Sequence, residues 1–354
     1  MILRAIGDTS INRPISPRVR ALLHGGEGAA DLLIGNLEIP LTDSGWPADK
    51  VSVSRSVPGN AREYAALDVD VWSLATNHAL DWGVPGLLQT MAELDATGVR
   101  FVGAGRTLVE ALTPCTLTTA SGERVAVLNF CSTLPSGSAA TPRRPGVAPL
   151  RVGQSFEFEA ARMEEQPGSP PRMTTWSVEE DLARAADLVA AARATHDHVI
   201  VCLHWGVAWP FLPPNQGPLA DYQRPVAHRL IDAGATAILG THSHSLHPIE
   251  FYAGGVVLYS MGNFLFHNDP ALPPNERRRT PPLHPILRTG PWLRGAVFDI
   301  AINGSDVSSV TIRPVVLDED GEPCPADTTQ HADILADIVR QSPGVHHDHG
   351  VFRP

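Results

Sequence analysis

Short apolar runs rich in β-branched residues punctuate the chain. They fall at "ILRAI" (2–6), "DLLIG" (31–35), "DVWSLA" (70–75), "VRFVGA" (99–104), "RVAVLNF" (124–130), "HVIVCLH" (198–204), "TAILG" (236–240), "VVLYS" (256–260) and "RGAVFDIAI" (294–302). Each is too short for a stable helix and is bounded by turn residues, so each predicts a buried strand. Between them, apolar positions recur at helical spacing over 85–98, 177–195 and 225–234. The longest of these helices opens on Ser177 with Glu180 three residues on, the pattern of a capping box. Strands alternating with helices predict an α/β domain whose sheets are sheathed by helices.

Three stretches break this rhythm. Residues 134–175, 208–221 and 267–293 are rich in proline and too long for ordinary connections. Such segments usually act as lids or binding surfaces. Residues 318–354 are polar and close on "GVHHDHG". The expected organisation is therefore one catalytic domain over 1–317, carrying the three insertions, and a polar C-terminal extension over 318–354.

Composition narrows the chemistry. With 43% apolar and 18% charged residues in a chain of 354, there is ample material for a core. A formal net charge of −11 argues against a nucleic-acid partner, because phosphate-backbone binding needs a basic surface. No run approaches the roughly 20 apolar residues that span a bilayer. The N-terminus "MILRAIGDTS" lacks the apolar segment and cleavage site of a secretory signal. Cys115, Cys131, Cys202 and Cys324 show no CxxC spacing and read as thiols, not as a disulfide framework. A cytoplasmic protein with no membrane partner is expected. Among 27 lysines and arginines there is a single lysine, Lys50, in the polar loop "PADKVSVS". Pyridoxal phosphate needs a buried lysine for its Schiff base, so that cofactor is not expected.

Polar residues collect just after the strands. "ILRAIGD" ends in Asp8, "LLIGNLE" in Asn36 and Glu38, and "VWSLATNHALD" brings Asn77, His78 and Asp81. "VIVCLH" ends in His204, and "AILGTHSH" in His242 and His244. Taken singly, Asp8 reads as a turn residue and His204 as a core histidine. Taken together, five strands deliver ligand atoms at their carboxyl ends, the edge where α/β sheets place their sites. His242 and His244 are two apart, a spacing that points both rings the same way in an extended chain. Mixed oxygen and imidazole donors suit one or two divalent ions, with Mn, Fe, Zn, Ca and Mg not distinguished. His247 and the tail histidines 346, 347 and 349 are left outside the set.

In order along the chain, "IGD" (6–8), "NLEIPLT" (36–42), "NHALDWG" (77–83), "HWG" (204–206), "THSH" (241–244) and "YSMGNFLF" (259–266) resemble the CapA family of poly-γ-glutamate capsule synthesis proteins. The resemblance implies a metallophosphatase-like fold, a two-sheet α/β sandwich flanked by helices in four layers, with a dinuclear metal site between the sheets. It implies that Asp8 sits on one metal and that Glu38 bridges. Asn77, His204 and His242 would hold the second metal, and His244 would complete the first. It also implies that His78 acts as an acid or a transition-state contact; Asp81, three residues on, would share a helical face with it and orient its ring. The chain departs from the metallophosphatase pattern in having Ser10 for a histidine, a glutamate as the bridging carboxylate, and Ala208 for a glutamate after "HWG".

A CapA-like chain without an export signal is also similar to the stand-alone peptide epimerases of lasso-peptide pathways. In that reading it is a metal-dependent isomerase acting at one Cα of a ribosomal precursor peptide, with a leader-recognition protein as partner. The long loops and Trp46, Trp82, Trp176, Trp205, Trp209 and Trp292 could then line a groove for the peptide end. The alternatives are a dinuclear phosphoesterase, a protein of poly-γ-glutamate synthesis, and a binding module.

Overall fold

A computed structural model describes all residues except 27, 51, 210, 212–216 and 268–289. Most of the proline-rich segment 267–293 and part of 208–221 therefore lie outside the described residues.

The strands assemble into two large sheets. The first is ten-stranded, and its continuous path is His346–Asp348, Val351–Arg353, Asp306–Leu317, Arg294–Asn303, Ile2–Ser10, Leu32–Leu37, Val71–Ser73, Phe101–Val102. Pro323–Pro325 pairs off this path with Asp306–Leu317, and Asn263–Phe266 with Ile2–Ser10. The second sheet has the order Ile249–Tyr252, Gly255–Leu258, Ala237–Thr241, His198–His204, Arg124–Cys131, Cys115–Thr118. Most strands that end at the candidate site run parallel to one another.

Side-chain parity dictates the layers. Alternate residues of a strand face opposite ways. Leu3, Ala5, Leu32 and Ile34 of the first sheet pack with Val125, Val127, Ile200, Cys202 and Leu239 of the second, forming the core between the sheets. The intervening residues face outward. Ala126, Leu128, Val199 and Val201 meet Leu182 and Val189 of helix Glu179–Arg193 and Val226 and Leu230 of helix Gln223–Asp232. Ile6, Leu33 and Trp72 meet Leu23 of helix Pro17–His24 and Leu87, Met91 and Leu94 of helix Gly83–Ala96. The result is the expected four-layer α/β sandwich. The same parity carries Asn36 and His204 to the inner face at the strand ends.

Several local expectations need correction. Ser177 does not cap a helix: it ends strand Arg172–Ser177 and pairs with Val152, and the helix begins at Glu179 without a side-chain cap. The first proline-rich segment is not irregular throughout, since Val152–Glu157 and Arg172–Ser177 form a hairpin. Strand Asp306–Leu317 and helices Pro17–His24 and Thr328–Gln341 are additional to the expected elements. Within 318–354, Ile334, Leu335, Ile338 and Phe352 join the inter-sheet core, and Val351–Arg353 pairs with Asp306–Leu317. Cys131 and Cys202 are buried free thiols. Among the described residues no helix is long and apolar enough to cross a membrane.

Candidate metal centre

The site forms where strand Ile2–Ser10 changes neighbours. Over Ile2–Ile6 the strand pairs antiparallel with Arg294–Asn303; from Asp8 it pairs in parallel with Asn263–Phe266. The backbone of Gly262 fills the junction. A Cβ on Gly7 would lie 1.9 Å from the Gly262 carbonyl oxygen, so only glycine fits, and the Asp8 N–H donates to that oxygen at 2.9 Å. The pairing with Leu32–Leu37 is irregular over the same residues and brings Asp8 opposite Asn36.

Asn36 then organises two carboxylates. Its amide nitrogen donates to Asp8 Oδ1 at 2.8 Å and to Glu38 Oε2 at 2.9 Å, and its oxygen accepts from Ser73 Oγ at 2.8 Å. From the other sheet comes His204, with Nδ1 3.8 Å from Glu38 Oε2. Ligand atoms of Asp8, Glu38 and His204 lie within 4.8 Å of one another, and all three residues are buried, so the group could hold a metal ion.

The remaining expected residues surround this group. His204 Nε2 meets Asn77 Oδ1 at 2.8 Å, and the His242 ring lies edge-on to His204 with centroids 4.8 Å apart. His244 Nδ1 is 3.2 Å from Asp8 Oδ2, and its Nε2 is 3.9 Å from Glu38 Oε1. His78 Nε2 also stands 3.9 Å from Glu38 Oε1. On its far side His78 Nδ1 contacts Asp81 Oδ2 at 2.6 Å. Asp8, Glu38, Asn77, His78, His204, His242 and His244 thus meet in one cluster, with Asp81 directly behind it.

The backbone at the two histidines is not the extended chain that their spacing suggested. His242 and His244 have φ of 88° and 53°, left-handed values that are uncommon outside glycine. Such conformations persist where surrounding structure over-determines them, and they cluster at functional sites. Here the turn lets the His242 N–H point to Asp8 Oδ2 at 3.2 Å while both rings face the cluster.

Electrostatics fit a divalent cation. Burial, reinforced by the adjacent Asp8 carboxylate, holds the Glu38 carboxyl well above its usual range. Burial likewise drives His204 and His242 well below the ordinary histidine value, keeping these imidazoles neutral as metal ligands must be. Glu38 Oε1 and His242 Nδ1 are buried without a hydrogen-bond partner. Buried polar atoms are normally satisfied, and two orphans on residues of one cluster are what a cation's coordination would complete.

Three contributors went unassigned in the sequence. Asn36 stands beside Glu38 in the sequence, but nothing there marks it as the link between the carboxylates. Asn263, inside "YSMGNFLF", has its Oδ1 2.8 Å from His244 Nδ1 and donates from Nδ2 to the Trp292 carbonyl. Lys50 reaches Asp81 Oδ1 at 2.6 Å with its side chain only 15% exposed, so its loop is not the solvated one that its polarity suggests. Of the tryptophans, Trp292 stacks at a tilt on His244 with centroids 4.2 Å apart, whereas Trp205 is buried in the outer core and Trp46 is exposed. His247, left outside the ligand set, is buried.

The chain is similar to a PGA biosynthesis protein CapA of Bacillus subtilis, with 30% identity over 240 residues that cover 67% of this chain and 54% of the relative. A probable polyglutamine synthesis accessory protein of Mycobacterium tuberculosis is 34% identical over 239 residues, 66% of this chain and 55% of its own. The chain thus spans about half the length of these relatives. Among solved structures, a Staphylococcus aureus protein provisionally assigned as a 5'-nucleotidase, in complex with α-ketoglutarate, superposes on 96% of this chain and 58% of its own. That superposition is loose, with a TM-score of 0.43 and 10% identity. The family model described as bacterial capsule synthesis protein PGA_cap matches residues 7–268, and the chain belongs to that family.

Proposed function

We propose that the protein is a metal-dependent acid/base enzyme that acts on a carboxylate-bearing peptide and inverts one Cα at or near the C-terminus of a ribosomal precursor. The observation that carries this reading is the buried His78–Asp81 pair, whose second imidazole nitrogen faces Glu38 Oε1 at 3.9 Å beside the candidate ligands.

Asp8, Glu38, Asn77, His204, His242 and His244 would hold one or two divalent ions. Such an ion supplies positive charge that stabilises a carboxylate or carbonyl as its neighbouring Cα–H is removed. The chain's own part is the proton. Asp81 Oδ2 already accepts from the Ser54 N–H at 2.6 Å, and Oδ1 accepts from Lys50. A carboxylate only accepts, so His78 Nδ1 carries the hydrogen and Nε2 presents a lone pair to the site. Burial lowers the His78 pKa, which keeps that lone pair free at neutral pH. His78 takes the Cα proton at Nε2, Asp81 holds the ring in place as its charge changes, and a solvent proton returned to the opposite face of the planar carbon completes the inversion.

Phosphoester hydrolysis is the second reading. It is favoured by two carboxylates and imidazoles from both sheets meeting in one buried cluster, an arrangement able to grip a phosphoryl group through metal ions. The relatives are named for PGA biosynthesis and for polyglutamine synthesis, and a poly-γ-glutamate chain, itself a carboxylate-bearing peptide, is a third class of substrate.

Incubation with Mn²⁺ or Ca²⁺ in D₂O separates these readings. Precursor peptides are expected to gain one deuterium at a single Cα, and His78→Ala to abolish the gain. No uptake across a panel of precursor and γ-glutamyl peptides, with turnover of p-nitrophenyl phosphate instead, would overturn epimerisation in favour of hydrolysis.

A further inference from the structure

The chain uses arginine at every basic position but one. The exception, Lys50, reaches the His78–Asp81 pair. Its ammonium donates to Asp81 Oδ1 at 2.6 Å and to the main-chain carbonyl of Asn77 at 2.7 Å. Asp81 is fully buried, and its other oxygen is shared between His78 and the Ser54 N–H. The loop that carries Lys50 is strapped to the same turn elsewhere, through Ala48 N–H to the Asp81 carbonyl at 2.7 Å and Arg55 over the Trp82 ring at 3.7 Å.

These contacts join two parts of the site. Asn77 offers its side-chain oxygen to the metal cluster, while its carbonyl is held by Lys50. Asp81 orients His78 through one oxygen, while its other is held by the same ammonium. A compact tetrahedral ammonium can satisfy two acceptors set at an angle on one turn.

We propose that Lys50 is a positioning residue that registers the proton-transferring ring of His78 against the candidate ligand Asn77, by binding Asp81 Oδ1 and the Asn77 carbonyl at once. The assignment rests on the acid/base reading for the role of His78, but not for the contacts themselves.

The test compares wild type, Lys50→Met, Asp81→Asn and the double variant, all in the full chain with Mn²⁺ or, for NMR, Ca²⁺. The His78 Nδ1 proton should give a downfield ¹H resonance, identified by its absence in His78→Gln. Lys50→Met should lose or broaden that resonance. It should also lower kcat by about 10–100-fold, the range for partners that orient a functional group, with KM nearly unchanged. The double variant should be no slower than Asp81→Asn, because the two residues act as one unit. A resonance unchanged in Lys50→Met, or losses that multiply in the double variant, would overturn the assignment.

If Lys50→Met does not fold, reductive dimethylation of wild type serves in its place. Lys50 is the only lysine, and a dimethylammonium keeps its charge with one N–H, too few for both acceptors. An unaltered resonance after complete modification overturns the proposal. Wild type that turns over none of the candidate substrates refutes the functional reading alone, and the resonance still decides the place of Lys50.

Discussion

His204, at the end of a strand in one sheet, meets Asn77, in the turn that follows strand Val71–Ser73 of the other, through a 2.8 Å contact between Nε2 and Oδ1. The two sheets otherwise face each other through an apolar core. At this edge they are joined by polar groups, which makes the site a closure of the sandwich as well as a place for chemistry.

A divalent ion should therefore stabilise the fold. Its ligands come from both sheets and meet only in the native state, so binding adds to stability by mass action. At a hundred times Kd the gain is about 2.7 kcal/mol. Mn²⁺ or Ca²⁺ is expected to raise the thermal midpoint, EDTA to reverse the rise, and Glu38→Gln or His204→Ala to abolish it. A midpoint indifferent to every divalent ion tested would contradict the assignment of these ligands.

Removal of His78 should separate binding from catalysis. General acid/base groups contribute about 10²–10⁴-fold to rate. His78→Ala is expected to lose turnover in that range while retaining the metal-induced rise in thermal midpoint. Loss of both together would mean that the ring is chiefly a ligand.

Stability should fall in mild acid, and His247 should account for part of the fall. Burial lowers its pKa to about 4, against roughly 6.5 in the unfolded chain. The unfolded state thus binds the proton first. The contribution is present in full above pH 6.5 and is lost as pH falls from there toward 4, by about 3 kcal/mol in all. Urea unfolding at a series of pH values should show a shallower decline for His247→Gln than for wild type. Parallel curves would show that this ring does not titrate on unfolding.

Gly7→Ala should be among the most damaging small substitutions. The added methyl meets the Gly262 carbonyl oxygen at 1.9 Å, and that oxygen accepts from the Asp8 N–H. Relief requires two strands to part at the site. A loss of roughly 3–5 kcal/mol is expected in urea unfolding, placing it with the strain and core-disruption class. Near-normal stability would show that the junction yields easily.

Much of this was legible in the chain, for identifiable reasons. Strands such as His198–His204 are apolar on both faces because helices cover one and a sheet the other, so they announce themselves as continuous runs. Their last residues are the site, which is why Asp8, Glu38 and His204 could be read from strand ends. Strand Asp306–Leu317 was hidden because it interleaves buried positions with serine, threonine and arginine, and carries a proline. Helix Thr328–Gln341 was hidden because only Ile334, Leu335 and Ile338 of its residues are buried. Ser177 misled because its local pattern suits a cap, while pairing with Val152 across the hairpin decides its conformation. The burial of Lys50 comes from its loop docking on a distant turn, which no local pattern encodes. The left-handed backbone at His242 and His244 is likewise imposed by what surrounds it.

Asn36 gives the site a gauge of its own. Its amide nitrogen is committed to Asp8 and Glu38, and its oxygen accepts from Ser73. The gap between the two carboxylates is thus measured by the dimensions of one amide, not by the radius of the ion that arrives. A spacing held by the chain itself asks little rearrangement of the site when an ion enters.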